Sequence, residues 1–396
     1  MAIFRTAETR ETRSGNGFTS FTDIIGSNQS HSGTSVTQEN ATNLPAVYRC
    51  VSLNVDTVAT LPVDAMTRHG GNRKPASEPF WLGDLGPNDH QDWGQFIGMA
   101  QASLELDGNA FILKASNAAG APIALYVLAP NSVRVSKEKE RIIYWAATDK
   151  GPKPYASTAI LHIRGLTLPG TDRGLSPIAA ARQTIGLGLA AERYGAQFFG
   201  SGATLSGVVT TPGSLTPEMA QSLQEQFARK HGGISKSHAI GVLSGGASWT
   251  PLSVKPEESQ FLETRKYTDV QIAHMYGTPP EYVTDTSGAS GYVSGLYARQ
   301  YMWLQTGINP RLVRLERALS TLLPRGAYIK FNRNAFLAMD PTDRANFYSA
   351  GLRDRWLTPN EVRELEDMND LKGGDDPLWS VQWNGAGTTP PDNGGP

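Results

Sequence analysis

The sequence predicts an α+β protein, and three observations lead there. Helix-period apolar spacing opens the ordered part of the chain, a run of short strand-like segments follows, and two long helical stretches then flank a compact insert. The 396 residues suffice for two or three domains, or for one large subunit with subdomains. Hydrophobic residues make up 39% and charged residues 18%, a balance that can bury a sizeable core.

Residues 1–40 are rich in Ser, Thr, Asn, Gln and Gly and are expected to form a mobile arm. Their first stretch has no apolar segment of the secretory kind. Leu44, Val47, Tyr48, Val51, Val55 and Val58 recur at three and four, an amphipathic helix that Pro62 ends. A loop holding Gly70, Gly71 and Pro75 is expected next. Trp93, Phe96, Ile97, Ala100 and Leu104 mark a second helix, and Asp107-Gly108-Asn109 a turn. Strands are expected at Ala110–Lys114, Ile123–Leu128, Ser132–Val135, Ile142–Ala146 and Ile160–Arg164.

Composition changes at Ser176. Ser176 can cap a helix with Pro177 at its first position. If helical to Gly200, that segment is roughly 37 Å long. Gly186, Gly188, Ala190 and Ala191 would let a neighbouring helix come close. The insert carries strand candidates at Leu205–Thr210, Ala239–Leu243 and Ser248–Leu252, with a helix from Thr216-Pro217 to Gly232-Gly233. A second long helix spans Glu257 to Tyr276. A small, polar stretch follows, Asp285-Thr286-Ser287-Gly288-Ala289-Ser290-Gly291, and then a helical pattern from Val293 to Leu322 that Pro310 should kink. Tyr328–Phe331 reads as a strand and Asp340-Pro341 as a helix start. Thr358-Pro-Asn-Glu361 is a capping box for a last helix ending near Gly373-Gly374. The tail 384–396 is turn-rich and expected to be disordered.

No chemistry-bearing constellation emerges. Gly186-Leu-Gly188-Leu-Ala-Ala191 fits a dinucleotide pattern in letters, yet lies inside a helical run with no strand before it. Phosphate-loop and nucleophile-elbow motifs are absent. The seven histidines are scattered, and His231 and His238 have no cysteine near them. The single cysteine, Cys50, sits on an amphipathic helix and reads as a small core residue in a reducing compartment. Carboxylates from Glu361 to Asp376 miss the alternation of a calcium loop and read as a solvated face. The longest apolar run, Ile123–Ala129, is too short to span a bilayer. Neither an enzyme, a cofactor, a metal nor a membrane partner is expected. Net charge is −1, against the basic balance of a tight DNA binder. It suits a near-neutral wall past which DNA slides with little drag.

The order of parts, with local motifs, resembles the portal proteins of tailed bacteriophages, in the branch of long-tailed phages and gene-transfer particles. The motifs are Ala46-Val-Tyr-Arg-Cys50 through Val58-Ala-Thr-Leu-Pro62; Asp107-Gly-Asn-Ala-Phe-Ile112; Ile160-Leu-His-Ile-Arg164 with Gly174-Leu-Ser-Pro177; and Phe198-Phe with Gly207-Val-Val. Further along come Ile272-Ala-His-Met-Tyr-Gly277-Thr-Pro-Pro280, Ile308-Asn-Pro310, Leu357-Thr-Pro-Asn-Glu-Val-Arg363 and Gly373-Gly-Asp375. The resemblance covers about residues 41–380, with Val283–Gly295 less typical.

It implies a portal fold: a wing at 41–174, a first stem helix at 175–202, a clip at 203–255, a second stem helix at 256–278 and a tunnel loop at 279–291. A kinked wing helix with a strand would occupy 292–335 and a helical crown 336–383. It further implies a homo-oligomeric ring, typically of twelve, at one capsid vertex. The ring would be assembled in the host bacterial cytoplasm and would conduct double-stranded DNA. Its partners would be the terminase large subunit, the neck adaptor and the major capsid protein. Asp285 to Gly291 would touch DNA weakly, and Gly186, Gly188, Ala190 and Ala191 would contact the next subunit's stem. The alternatives are another virion structural protein, from neck or capsid, and a hydrolase with a site assembled from distant residues.

Overall fold

A computed structural model describes residues 28–376, apart from 70–71, 84, 119, 140, 201–206, 211–215, 219–220, 223–247, 252–257, 285–298, 334–340 and 367. The chain divides into two compact units: 1–59 with 79–322, and 60–78 with 323–396.

In the larger unit, residues 28–40 are not a free arm. They pack, with α1 (Gln38–Ala41) closed by a capping box from Thr37. Residues 1–27 lie outside the described region. The expected helix at Leu44–Val58 is α2 (Pro45–Ala59), which buries Val47, Cys50, Val51 and Val58. Helix α3 (Trp93–Asp107) starts on an Asp92 cap and ends at Gly108, whose left-handed φ of 77° needs no Cβ. Its Phe96, Ile97, Ala100 and Leu104 are buried, as their spacing required.

Strands β3 (Asn109–Ser116), β4 (Pro122–Leu128) and β8 (Ile160–Arg164) form one antiparallel sheet in the order β4-β3-β8. Strands β5 (Val133–Glu138), β6 (Arg141–Thr148) and β7 (Gly151–Ala156) form another. The sheets share a core of Phe111, Val133, Tyr144, Ala146 and Ile160. Burying a side chain the size of Phe111 contributes about 1.5–3 kcal/mol. Strand β7 was not expected, because Pro152 and Pro154 spoil its strand character. It is an edge strand, where proline at alternate positions removes no ladder bond.

Ser176 caps α4 (Pro177–Ala180), a turn breaks at Ala181, and α5 (Arg182–Gly200) continues. Strands β9 (Gly207–Thr210) and β10 (Ser248–Pro251) pair antiparallel. The expected strand Ala239–Leu243 and most of the expected helix after Thr216 lie outside the described residues. Helix α6 (Glu258–Tyr276) returns against α5. Gly188 approaches Thr268 and Glu192 pairs with Arg265, so residue numbers rise on one helix as they fall on the other: the two form an antiparallel hairpin. Its inner side joins α2 through Leu44, Val47, Cys50, Ile185, Ile272 and Tyr276.

The expected kink at Pro310 takes the form of a π-helical turn, Trp303–Ile308, leading into α7 (Asn309–Ser320). Pro310 has no N–H to give the carbonyl four residues back, and a wide turn absorbs that loss.

The smaller unit corrects one expectation. The stretch after Pro62 is not a loop but strands β1 (Val63–His69) and β2 (Asn72–Pro75). Together with β11 (Ala327–Phe331) they make a sheet ordered β11-β1-β2. Helix α8 (Pro341–Arg353) begins at the proline, as expected. Thr358 and Glu361 complete their capping box on α9 (Pro359–Leu365). That helix ends eight residues before Gly373, because the chain folds back on Asn360. The Asn360 side chain donates to the Leu371 carbonyl and to Asp375, and accepts from the Leu371 N–H.

Candidate assembly site: the helical hairpin and its two anchors

The four small residues expected to meet a neighbouring subunit divide into two pairs. Gly186 and Gly188 are buried within their own chain. A Cβ on Gly186 would land on Ser30, and one on Gly188 would stand 3.1 Å from Leu44 Cδ1 and 3.3 Å from Thr268 Cγ2. The segment before α1 runs over this point: Ser32 Oγ donates to the Gly186 carbonyl at 3.0 Å, and the His31 N–H donates to Gln183 Oε1 at 2.8 Å. Ala190 and Ala191 are half-buried on the outer side of α5, with Leu187 and Tyr194 exposed beside them.

The first anchor joins the sheets to the start of the hairpin. Asn109, 1% exposed, donates from Nδ2 to the Gly174 carbonyl at 3.0 Å and to Asp107 Oδ1 at 2.8 Å. Its Oδ1 accepts from the Gly174 N–H at 2.6 Å and lies 3.0 Å from His162 Nε2. An amide oxygen only accepts, so His162 carries its proton on Nε2. Its Nδ1 then faces the Tyr144 hydroxyl at 3.3 Å as acceptor. The imidazole stacks on Phe111 with ring centres 4.3 Å apart. Burial holds its pKa down to about 3, helped by Arg164 and Arg173, so the ring is neutral. Arg173 bonds Asp107 at 2.8 Å and the Val133 carbonyl at 2.7 Å. Ser176 Oγ donates to the Leu106 carbonyl. Three motifs separated in the chain, Asp107-Gly-Asn109, Ile160 to Arg164 and Arg173 to Pro177, therefore form one junction. Gly108 and Gly174 let the backbones touch: a Cβ on either would meet a carbonyl, that of Leu175 or of Gly108.

The second anchor lies at the same end of the antiparallel hairpin, where α6 finishes. The half-buried Arg311 guanidinium holds Glu105 through two N–H groups, at 2.5 and 3.1 Å. It also donates to the Tyr276 carbonyl at 2.8 Å and the Gly307 carbonyl at 2.7 Å. Gln101 Nε2 donates to the same Glu105 carboxylate. Helices α3, α6 and α7 thus meet on one side chain. Tyr282 packs edge-on against Trp303, with centroids 5.8 Å apart, and Arg299 reaches Glu281 at 3.5 Å. These contacts bring residues 281–282 and 299–303 together, at the two ends of 285–298. The expected DNA-facing residues Asp285 to Gly291 fall inside that interval and lie outside the described residues.

The periodicity of the sequence missed both anchors. Glu105 and Arg311 are 206 residues apart, and nothing local marks either. Asn109 was visible as a turn residue and within the Asp107-to-Ile112 motif, but not as a junction.

Among the described residues no group of three or more His, Cys, Asp or Glu side chains is placed to hold a metal ion. No described helix is long and apolar enough to cross a membrane. Cys50 is fully buried, and burial lifts its pKa to about 11.

Among curated proteins, the chain is similar to the probable portal protein of Streptomyces phage phiC31. The two are 32% identical over 363 residues, covering 87% of this chain and 78% of the phage protein. Among solved structures, a phage portal protein of the HK97 family from Corynebacterium diphtheriae superposes with a TM-score of 0.58. Its identity is 16%, over 77% of this chain and 98% of that one. A chain from the neck of a native GTA particle, computed with C12 symmetry, superposes at 0.56 with 19% identity over 88% and 98%. The family model for phage portal proteins matches residues 45–367, a span that holds the hairpin and both anchors, and the chain belongs to that family.

Proposed function

We propose that this structural portal subunit forms a twelve-membered ring at a capsid vertex, with the α5–α6 hairpin as its stem around a channel for double-stranded DNA. The observation that carries this reading is the braced base of the 285–298 interval. Its flanks are held by Arg311, the Tyr282–Trp303 pair and the Glu281–Arg299 pair, at the end of the hairpin. An excursion from such a base suits a loop that touches passing DNA without moving the helices behind it. Asp285-Thr-Ser-Gly-Ala-Ser-Gly291 carries no Lys or Arg, so it would hold phosphates weakly. The near-neutral chain fits the same task.

The insert 203–255 would be the clip, docking first the terminase large subunit and later the neck adaptor, and the wing would meet the major capsid protein. The likeness to a chain from a GTA neck computed with C12 symmetry supports the number twelve. The role is structural: His162 serves the junction with Asn109 and Tyr144, and the buried Cys50 serves packing. Negative-stain microscopy of the purified protein tests the proposal. Turbine-shaped rings with a central hole are expected, and featureless monomers would refute it.

A further inference from the structure

Strand β6 is apolar on both of its faces. Ile142, Tyr144 and Ala146 turn to the core shared with the other sheet, so Ile143, Trp145 and Ala147 turn outward. An antiparallel sheet covered on one side ordinarily puts polar residues on the other. Here the outer face holds a groove of about 530 Å³. Trp145, Ala147 and Pro152 give it apolar walls, with Arg134 and Glu138 on its rim. Trp145 stands opposite Arg134 on β5 and Pro154 on β7, and its indole N–H donates to Ser136 Oγ at 3.2 Å, which fixes the ring. Residues 131–156 carry six Lys or Arg against three Asp or Glu, in a chain of net charge −1.

The same unit carries the converse feature. Leu85, 89% exposed, is the most exposed large apolar residue among the described ones. Its loop holds it out firmly. Gly86 beside it takes a left-handed φ of 66°, where a Cβ would strike the Gln91 carbonyl. The Pro87 carbonyl accepts from the Leu125 N–H at 2.8 Å. Buried Asn88 donates to the Leu125 carbonyl at 2.8 Å and accepts from the His90 N–H at 3.0 Å. Residues 79–92 carry Asp84, Asp89 and Asp92 and no Lys or Arg. The loop is an acidic knob tied to the edge of β4, and the groove is a basic cleft on the other sheet. Both belong to the larger unit, and none of the groove's lining residues comes from the loop.

Resting on the ring reading above, we infer that Leu85 of one subunit seats in the Trp145 groove of the next copy of this chain, with Asp89 beside Arg134. A closed ring needs a head-to-tail contact between two different patches of the same chain. The knob and the groove are such a pair. A convex loop meets a concave face, and carboxylates meet a basic rim. The leucine and the indole, both costly to leave in water, cover each other. The knob is tied to β4 and the groove is held by the shared core, so each needs a second copy to be filled.

The test is cross-linking of assembled protein carrying His90→Cys and Ala147→Cys, treated with a short bismaleimide. Both positions are exposed, one beside the knob and one in the groove, and Leu85, Asp89, Arg134 and Trp145 stay in place. Cys50 is buried and stays silent, so the two introduced thiols are the only reactive ones. A ladder of covalent oligomers up to the full ring is expected on denaturing gels. The two single variants co-assembled should stop at dimers. Adding Leu85→Asp, at a site too exposed to disturb folding, should remove the ladder, and a ladder that survives it would overturn the seating of Leu85. Rings of full mass on native mass spectrometry without a ladder would overturn the knob-and-groove contact and leave the ring reading intact. Dimers from a single variant alone would show a symmetric contact and overturn it too. So would a linker joining both thiols of one chain. A chain that stays monomeric overturns the ring reading and this inference with it.

Discussion

Replacing Arg311 with methionine should destabilise the larger unit by more than any surface change. Methionine keeps much of the stem's volume but donates nothing. Glu105, with its side chain 4% exposed, is then a buried carboxylate that has lost both charged donors and keeps only Gln101. Removing one partner of a buried ion pair costs roughly 3–5 kcal/mol. Glu105→Gln should cost less, about 2 kcal/mol, because Arg311 keeps the carbonyls of Tyr276 and Gly307. The double variant buries no orphan charge. It loses the two carbonyl bonds, again about 2 kcal/mol at about 1 kcal/mol each. The double variant is therefore expected to be more stable than Arg311→Met alone, a strongly non-additive cycle. Urea unfolding followed by tryptophan fluorescence reads this, since Trp303 is buried beside the same node. A loss under about 1 kcal/mol for Arg311→Met, or a double variant whose loss equals the sum of the singles, would refute the assignment.

Other consequences are equally direct. His162 is neutral when folded and titrates near 6.5 when unfolded, so stability should fall as pH drops from about 6.5 toward 3, by up to about 1.4 kcal/mol per unit. His162→Gln should flatten that component in urea titrations at pH 7 and pH 4.5, and an unchanged difference between the two pH values would count against it. Gly108→Ala combines a left-handed φ with a Cβ driven into the Leu175 carbonyl, and a loss above about 2 kcal/mol is expected from denaturation midpoints. Ala190→Trp should disturb ring assembly by overpacking the outer face of α5, and unchanged ring mass on native mass spectrometry would contradict this. Bulky residues in place of Ser287 and Ser290 should impair packaging or retention of DNA while leaving rings intact, and normally filled heads would argue against a lumen-facing loop.

Local rules carried the helices a long way. The spacing from Leu44 to Val58, the Asp107-Gly108 stop and the Thr358 capping box all fold as their chemistry demands. Where the outcome depends on distant pairing, local rules are silent. Strand β1 finds β11 more than 250 residues later, and before that partner is known its segment looks like loop. Strand β7 hides behind two prolines that matter only in an interior strand. The small residues of α5 were legible as a close-packing surface, but not which partner they serve. Gly186 and Gly188 turned out to serve Ser30, Leu44 and Thr268 of the same chain. The portal-like motifs around Asn109, His162 and Gly174 could be noticed one by one, yet only the fold shows that a single amide side chain joins them.

The Arg311 node also has a mechanical meaning. Force applied along the chain beyond Thr284 passes into the end of α6. There the Tyr276 carbonyl is bonded to the same planar group that grips Glu105 on α3 and Gly307 in the π-helical turn leading into α7. A guanidinium is rigid, with its donors fixed in direction. The three helices therefore cannot yield one at a time: strain on any of them is shared by the other two. A pull on the chain there would load this point like a rivet in shear, and yielding should begin there only when several short, charge-assisted bonds break together.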